Sequence, residues 1–237
     1  MIEFFSTYPY FLGSLYLLLV WLVIFFISKK QQKKEMLAMG IIGVIAGVFG
    51  GIVYYGRWWV PELLFPNVTP YGVWSIEDVI TGFAIMGIAT AAGHLTFSSS
   101  RKSVSEYTFR KAFSIVFVLA LVALFFHLLF MNVLNLNLFF TVILIGAVFF
   151  ILLLFRCRRS WRFVFKTSII TTFVALPFYY LPMIANPTWV DEQWLKERFF
   201  GPELFSVPFE EFVWFLIVSG VIAIAWEYAR GVCPQNA

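Results

Sequence analysis

Val207-Pro208-Phe209-Glu210-Glu211-Phe212-Val213-Trp214-Phe215 opens a run that stays apolar up to a closing Trp226-Glu227-Tyr228. The run is long enough to cross a bilayer, which takes about 20 residues, yet it begins with two adjacent carboxylates. A charge inside a membrane costs on the order of 2.5–3.5 kcal/mol near the helix centre and less towards an end. Groups kept at that cost face protein or do chemistry. A weaker copy stands earlier, where Trp74-Ser75-Ile76-Glu77-Asp78 opens another apolar run.

The rest of the 237-residue chain has the same character. It is 61% apolar, against roughly 45–50% for a soluble domain, and only 13% is charged. Hydropathy predicts seven spans, at about 9–28, 37–55, 76–97, 112–131, 136–155, 164–183 and 208–229. Long apolar runs exclude a closed barrel, whose strands alternate over about ten residues. The expected fold is an all-α integral membrane protein with seven transmembrane helices.

Basic residues set the orientation. Fourteen of the 17 fall on one side: Lys29, Lys30, Lys33, Lys34, Arg101, Lys102, Arg110, Lys111, Arg156, Arg158, Arg159, Arg162, Lys166 and Arg230. Arg57, Lys196 and Arg198 fall on the other. An odd span count then puts the amino terminus outside and the carboxyl terminus in the cytoplasm. Glu3 stands where a cleaved leader carries basic residues, so span one is expected to remain. Cys157 and Cys233 fall on the basic side, where thiols are expected to stay reduced. The net charge of +4 is this one-sided excess against anionic headgroups and not a nucleic-acid footprint.

Landmarks recur in order. Spans one and five end in basic clusters, and spans two and six end in tyrosine pairs, Tyr54-Tyr55 and Tyr179-Tyr180. Each pair precedes a loop rich in Trp, Pro and acids, holding Pro61-Glu62-Leu63 or Pro202-Glu203-Leu204, and each third span opens on an acidic pair. This pattern predicts two three-helix repeats, residues 1–97 and 136–237, joined by a linking helix in 98–135. The linking helix keeps the repeats parallel and puts both acidic pairs near one leaflet. Repeats of this kind commonly form a site at the interface of the halves.

Pro208-Phe209-Glu210-Glu211-Phe212, followed by Trp214-Phe215 and closed by Trp226-Glu227-Tyr228, resembles the membrane lycopene cyclase domain of the heterodimeric or fused, non-flavin type. That family has two three-span halves, each marked by a Pro-x-Glu-Glu/Asp signature. The first half departs from the pattern in Ser75, where proline is expected, and in Asp78. His94 follows Glu77 at the spacing by which Glu227 follows Glu210.

The resemblance implies a lycopene cyclase, which performs a redox-neutral isomerisation. A proton adds to the terminal double bond of a linear polyene, the cation closes a six-membered ring, and a neighbouring proton leaves. A carboxyl group in a low-dielectric site tends to stay protonated, and a second carboxyl beside it splits the pair into acid and base. The residues expected to carry catalysis are Glu210 and Glu77 across the repeat interface, supported by Glu211 and Asp78. Adjacent helical residues point about 100° apart, so one member of each pair faces the polyene and the other holds a backbone group or its counterpart. Helix capping is the alternative reading of all four.

Trp214, one turn beyond Glu210, is the foremost candidate for cation–π stabilisation, with Trp74, Phe209 and Phe212 as further substrate contacts. The tryptophans near the loop ends also fit an aromatic belt. His94 and His127 lack metal-ligand spacing. No cofactor and no metal is expected; the expected partners are the lipid bilayer, a linear carotenoid and other carotenoid enzymes as neighbours. The rival readings are a carotenoid hydratase, in which water traps the cation, and a non-catalytic lipid-binding or transport protein.

Overall fold

The computed structural model describes residues 2–95 and 106–232. Arg101, Lys102, Cys233 and the expected boundary near residue 97 lie outside the described residues. A short α1 (Ile2–Thr7) leads into α2 (Pro9–Ile27), α3 (Lys30–Tyr54), α4 (Ile76–Leu95), α5 (Glu106–Asn132) and α6 (Leu138–Arg156). The chain ends with α7 (Trp161–Ala175), α8 (Pro177–Ala185), the short α9 (Trp189–Gln193) and α10 (Phe209–Ala229). Seven of the described segments are long and apolar enough to cross a membrane, with α7 and α8 counted as one span, Trp161–Ala185. The seven-helix expectation therefore holds.

Two ends differ from expectation for local reasons. α3 begins at Lys30, about two polar turns earlier than hydropathy indicates, and Gln32 Oε1 accepts from the Lys29 N–H at 2.9 Å to cap its start. Span six breaks after Ala175 because Pro177 has no N–H to continue the ladder. The Val174 carbonyl at the break accepts instead from the Tyr16 hydroxyl, at 2.8 Å.

Two hairpins interrupt the all-helical expectation. β1 (Pro66–Thr69) pairs antiparallel with β2 (Gly72–Ser75), and β3 (Glu203–Leu204) pairs antiparallel with β4 (Val207–Pro208). Each runs directly into an acidic helix, α4 or α10. The second turn, at Phe205-Ser206, has φ of 52° and 66°, the left-handed pair that a two-residue hairpin requires.

α3 and α4 form the most extensive helix pair. Gly43 and Gly47 make it possible: a Cβ at Gly43 would collide with the Gly82 carbonyl, and one at Gly47 with the Asp78 carbonyl. Large apolar side chains stand on the outside of α2, α6 and α7, among them Phe26, Ile151, Phe155 and Phe173, all exposed on the protein as lipid-facing groups would be. The Asn residues after α5 shape the turn into α6. Asn135 takes φ of 50°, and Asn137 Oδ1 caps α6 by accepting from the Phe139 N–H at 2.8 Å. Cys157 is disulfide-bonded, in contrast to the expected free thiol.

Candidate active site

Each acidic pair opens its helix and splits its two carboxyl groups between different tasks. In α4, Glu77 Oε1 accepts from the Leu64 N–H of the preceding loop at 2.7 Å. In α10, Glu210 Oε1 accepts from the N–H groups of Phe200 and Gly201 at 2.7 and 2.6 Å. Both first members thus hold loop backbone. The second members turn inward.

Asp78 Oδ1 accepts from the Tyr10 hydroxyl at 2.8 Å, and its Oδ2 accepts from the Ser75 N–H at 2.7 Å and the Ser75 hydroxyl at 3.0 Å. Ser75 is therefore the cap of α4 in a Ser-x-x-Asp box, which explains why serine stands where the second half has Pro208. Glu211 accepts through Oε1 from the indole N–H groups of Trp58 and Trp194, the latter at 2.7 Å, and through Oε2 from the Tyr179 hydroxyl. All four acids are buried.

The two loops that carry these tryptophans are stitched together. The Val60 N–H donates to the Gln193 carbonyl at 2.7 Å, the Leu195 N–H to the Trp58 carbonyl at 3.0 Å, and Trp59 and Trp194 form an antiparallel bridge. Fully buried Trp189 donates its indole N–H to the Tyr179 carbonyl at 3.0 Å. The result is an aromatic cover over the loop ends of the helices.

Beneath the cover lies an apolar cavity of about 270 Å³, walled by α3, α4, α5, α6 and α10. Asp78, Tyr10, Thr81, Tyr54, Trp59, Trp214 and His127 line its loop end, and Met39, Met86, Val116, Ile222 and Ala225 line its other end. From Trp214 to Ala225 the wall follows α10 for about 16 Å, at 1.5 Å per residue. A smaller aromatic chamber holding Glu211 shares Tyr10, Tyr54, Trp59, Thr81, Ile85 and Trp214 with the main cavity. The slot suits a long hydrocarbon with its end against Asp78.

Residues 136–229 match the protein-family model described as lycopene cyclase. This stretch is a lycopene cyclase family domain. No curated protein and no solved structure matches the chain. The match supports a membrane enzyme that acts on a carotenoid, cyclisation being the family's activity in general terms. It takes in Tyr179, Trp194, Glu210, Glu211 and Trp214, whereas Tyr10, Tyr54, Asp78 and His127 come from the unmatched part of the same cavity system.

Of the aromatic residues expected to touch substrate, Trp214 lines both chambers. Phe212 packs into the surrounding core, Phe209 is 40% exposed, and Trp74 sits on β2 with its Cβ against Gly51. None of these three lines the main cavity. Their alternation explains it: only one face of α10 looks inward, and Trp214, Val218 and Ile222 lie on that face at helical spacing. Glu210 and Glu77 do not meet across the halves as expected, because each turns towards the loop before its own helix.

A second polar cluster closes the basic end. Glu35 of α3, fully buried, accepts from Gln31 at 2.9 Å, Trp226 Nε1 at 3.0 Å and Arg230, and lies 2.8 Å from His94 Nε2. Glu227 stands 3.7 Å from Arg230, so it belongs to this cluster and not to the acidic ends of the helices. Its distance from Glu210, about 25 Å along α10, fits that separation. Glu35 has no counterpart among the sequence-predicted residues, since it follows a run of lysines and reads there as a solvated charge.

Proposed function

We propose that the protein closes a ring at the end of a linear carotenoid, lycopene in the first instance, by proton-initiated, redox-neutral cyclisation, with Asp78 as the proton donor. The observation that carries this reading is the Asp78 carboxyl set in the wall of a mostly apolar slot, at the end closed by aromatic rings. The proton passes from Asp78 to the terminal double bond, and the polyene's own π electrons close the ring. Tyr54, Trp59 and Trp214 present π faces to the positive charge as it forms. Tyr10 orients Asp78 by its hydrogen bond, and Glu211 supports the adjoining aromatic chamber. Glu77 and Glu210, which the sequence placed first, are assigned the holding of the loops.

The two-repeat organisation supports the same reading. Residues 1–97 and 136–237 each end in a loop, a hairpin and a helix whose first acid holds loop N–H groups and whose second accepts a tyrosine hydroxyl. α5 joins them and is the least enclosed span, with 11 % of its span buried. It forms the lipid-side wall of the cavity, through which a hydrocarbon substrate enters from the bilayer. The basic ends of the helices face the cytoplasm and the aromatic cover faces outward. The apolar walls disfavour the hydratase reading, because water has few polar groups there to hold it.

The test is pigment analysis of lycopene-accumulating bacterial cells expressing the wild type, Asp78→Asn and Glu210→Gln. Monocyclic or bicyclic carotenes from the wild type and Glu210→Gln but not from Asp78→Asn are expected. Hydroxylated acyclic products would establish the hydratase. Unchanged lycopene beside well-folded wild-type protein would overturn the reading.

A further inference from the structure

A cyclase must take a proton back as well as give one, and the group that does so has not been assigned by the carboxyl pairs. His127, on α5, is 94 % buried by its 6% exposure. It lines the same cavity as Asp78, and its Nε2 has no hydrogen-bond partner among the described residues. Buried side-chain nitrogen is almost always partnered, and leaving it unpartnered costs about 1–3 kcal/mol. The ring is held by rings: Phe49 at 5.8 Å and 81°, and Tyr54 at 5.7 Å and 56°. These contacts fix the plane of the imidazole without satisfying its nitrogen. The cost is incurred at one of the few polar positions in a hydrocarbon-lined slot, on a different helix from the proposed acid.

We infer that His127 is the proton acceptor that ends the reaction, a role that rests on the cyclase reading above. After ring closure the positive charge sits on a ring carbon. The Nε2 lone pair removes a proton from the carbon beside it, and the C–H electron pair becomes the ring double bond. One proton has left Asp78 and one has reached His127, so the product is an isomer of the substrate and no oxidant or reductant is used. Return of the proton from the imidazolium to the Asp78 carboxylate completes the cycle. A linear carotenoid has no polar atom that the imidazole could otherwise bind. The placement of Nε2 relative to the ring then selects which neighbouring proton leaves, and so where the ring double bond stands.

The experiment uses the full chain in membranes from lycopene-accumulating cells, comparing wild type, His127→Gln, His127→Ala and Asp78→Asn, each checked for folding by thermal stability in detergent. General-base removal is worth about 100-fold or more, so cyclic carotene should fall about 100-fold in both His127 variants. Added imidazole should restore activity to His127→Ala but not to Asp78→Asn. A wild type that cyclises lycopene beside His127 variants within twofold of it overturns this inference and leaves the cyclase reading standing. Loss of product that tracks loss of folded protein, without imidazole rescue in either folded variant, assigns His127 a packing role and also overturns it. A folded wild type that leaves lycopene unchanged overturns both.

Discussion

Gly51 lies against the Asp78 carboxyl so closely that a Cβ on Gly51 would stand 2.5 Å from Oδ2, and 2.9 Å from the Cβ of Trp74. The absent side chain is what lets α3 press on the first turn of α4 and hold Asp78 at the cavity wall. Gly51→Ala should therefore displace the carboxyl or open the helix pair. Misplacement of a reacting group by about 1 Å can cost 100-fold in rate. The expected outcome is a loss of at least tenfold in cyclic carotene from lycopene-accumulating cells. Protein levels in the membrane should remain within about twofold of wild type.

The two tyrosines that donate to the inward acids should not be equivalent. Tyr10 bonds Asp78 in the main cavity, whereas Tyr179 bonds Glu211 in the aromatic chamber. A hydrogen bond contributes about 0.5–1.5 kcal/mol net, so either phenylalanine variant should lower thermal stability. Tyr10→Phe should also cut turnover about tenfold, because it releases the proposed acid. Tyr179→Phe should leave turnover per folded molecule within about threefold. Pigment yield normalised to detergent-extracted protein separates the two.

Glu77 and Glu210 offer a sharper contrast with what their sequence setting implies. Each accepts backbone N–H groups from the loop before its helix, and an amide oxygen can do the same. Glu77→Gln and Glu210→Gln should keep most cyclase activity. Glu77→Ala and Glu210→Ala leave part-buried loop N–H groups without their acceptor, each hydrogen bond being worth about 0.5–1.5 kcal/mol net. They should melt earlier, and limited proteolysis should cut them near residues 62–66 and 199–203.

The spans were legible because hydropathy needs no tertiary information. Which acid of each pair turns inward was not legible. Glu77 and Asp78 are neighbours in sequence, and their division depends on a hairpin that delivers the Leu64 N–H to one and the Ser75 cap to the other. Short strands between apolar helices have too few residues to show alternation. Tyr10 and Trp58 were hidden because an aromatic residue near a span end reads as part of a headgroup belt, and only the fold brings them to a carboxyl. The Ser75-x-x-Asp78 spacing was the one local signal that could have revealed the cap.

The cluster at the basic end should govern stability and not turnover. Glu35 is fully buried, and the Arg230 side chain that pairs with it at 3.1 Å is 2% exposed. Removing Arg230 strips buried Glu35 of its arginine counterion, a loss that typically costs about 3–5 kcal/mol, and removing Glu35 leaves Arg230 with only the more distant Glu227, at 3.7 Å. Arg230→Met should therefore melt well below the wild type, and Glu35→Met likewise. The double variant removes both charges and leaves apolar groups beside Met36, Met39 and Trp226, so its loss should be smaller than the sum of the single losses. Thermal unfolding of the four proteins in detergent measures that coupling, and additivity would mean that Gln31, His94 and Trp226 satisfy Glu35 without the arginine. Cyclase activity per folded molecule should stay within a few-fold throughout, because the cluster lies beyond Met39 and Ala225, at the end of the slot away from Asp78.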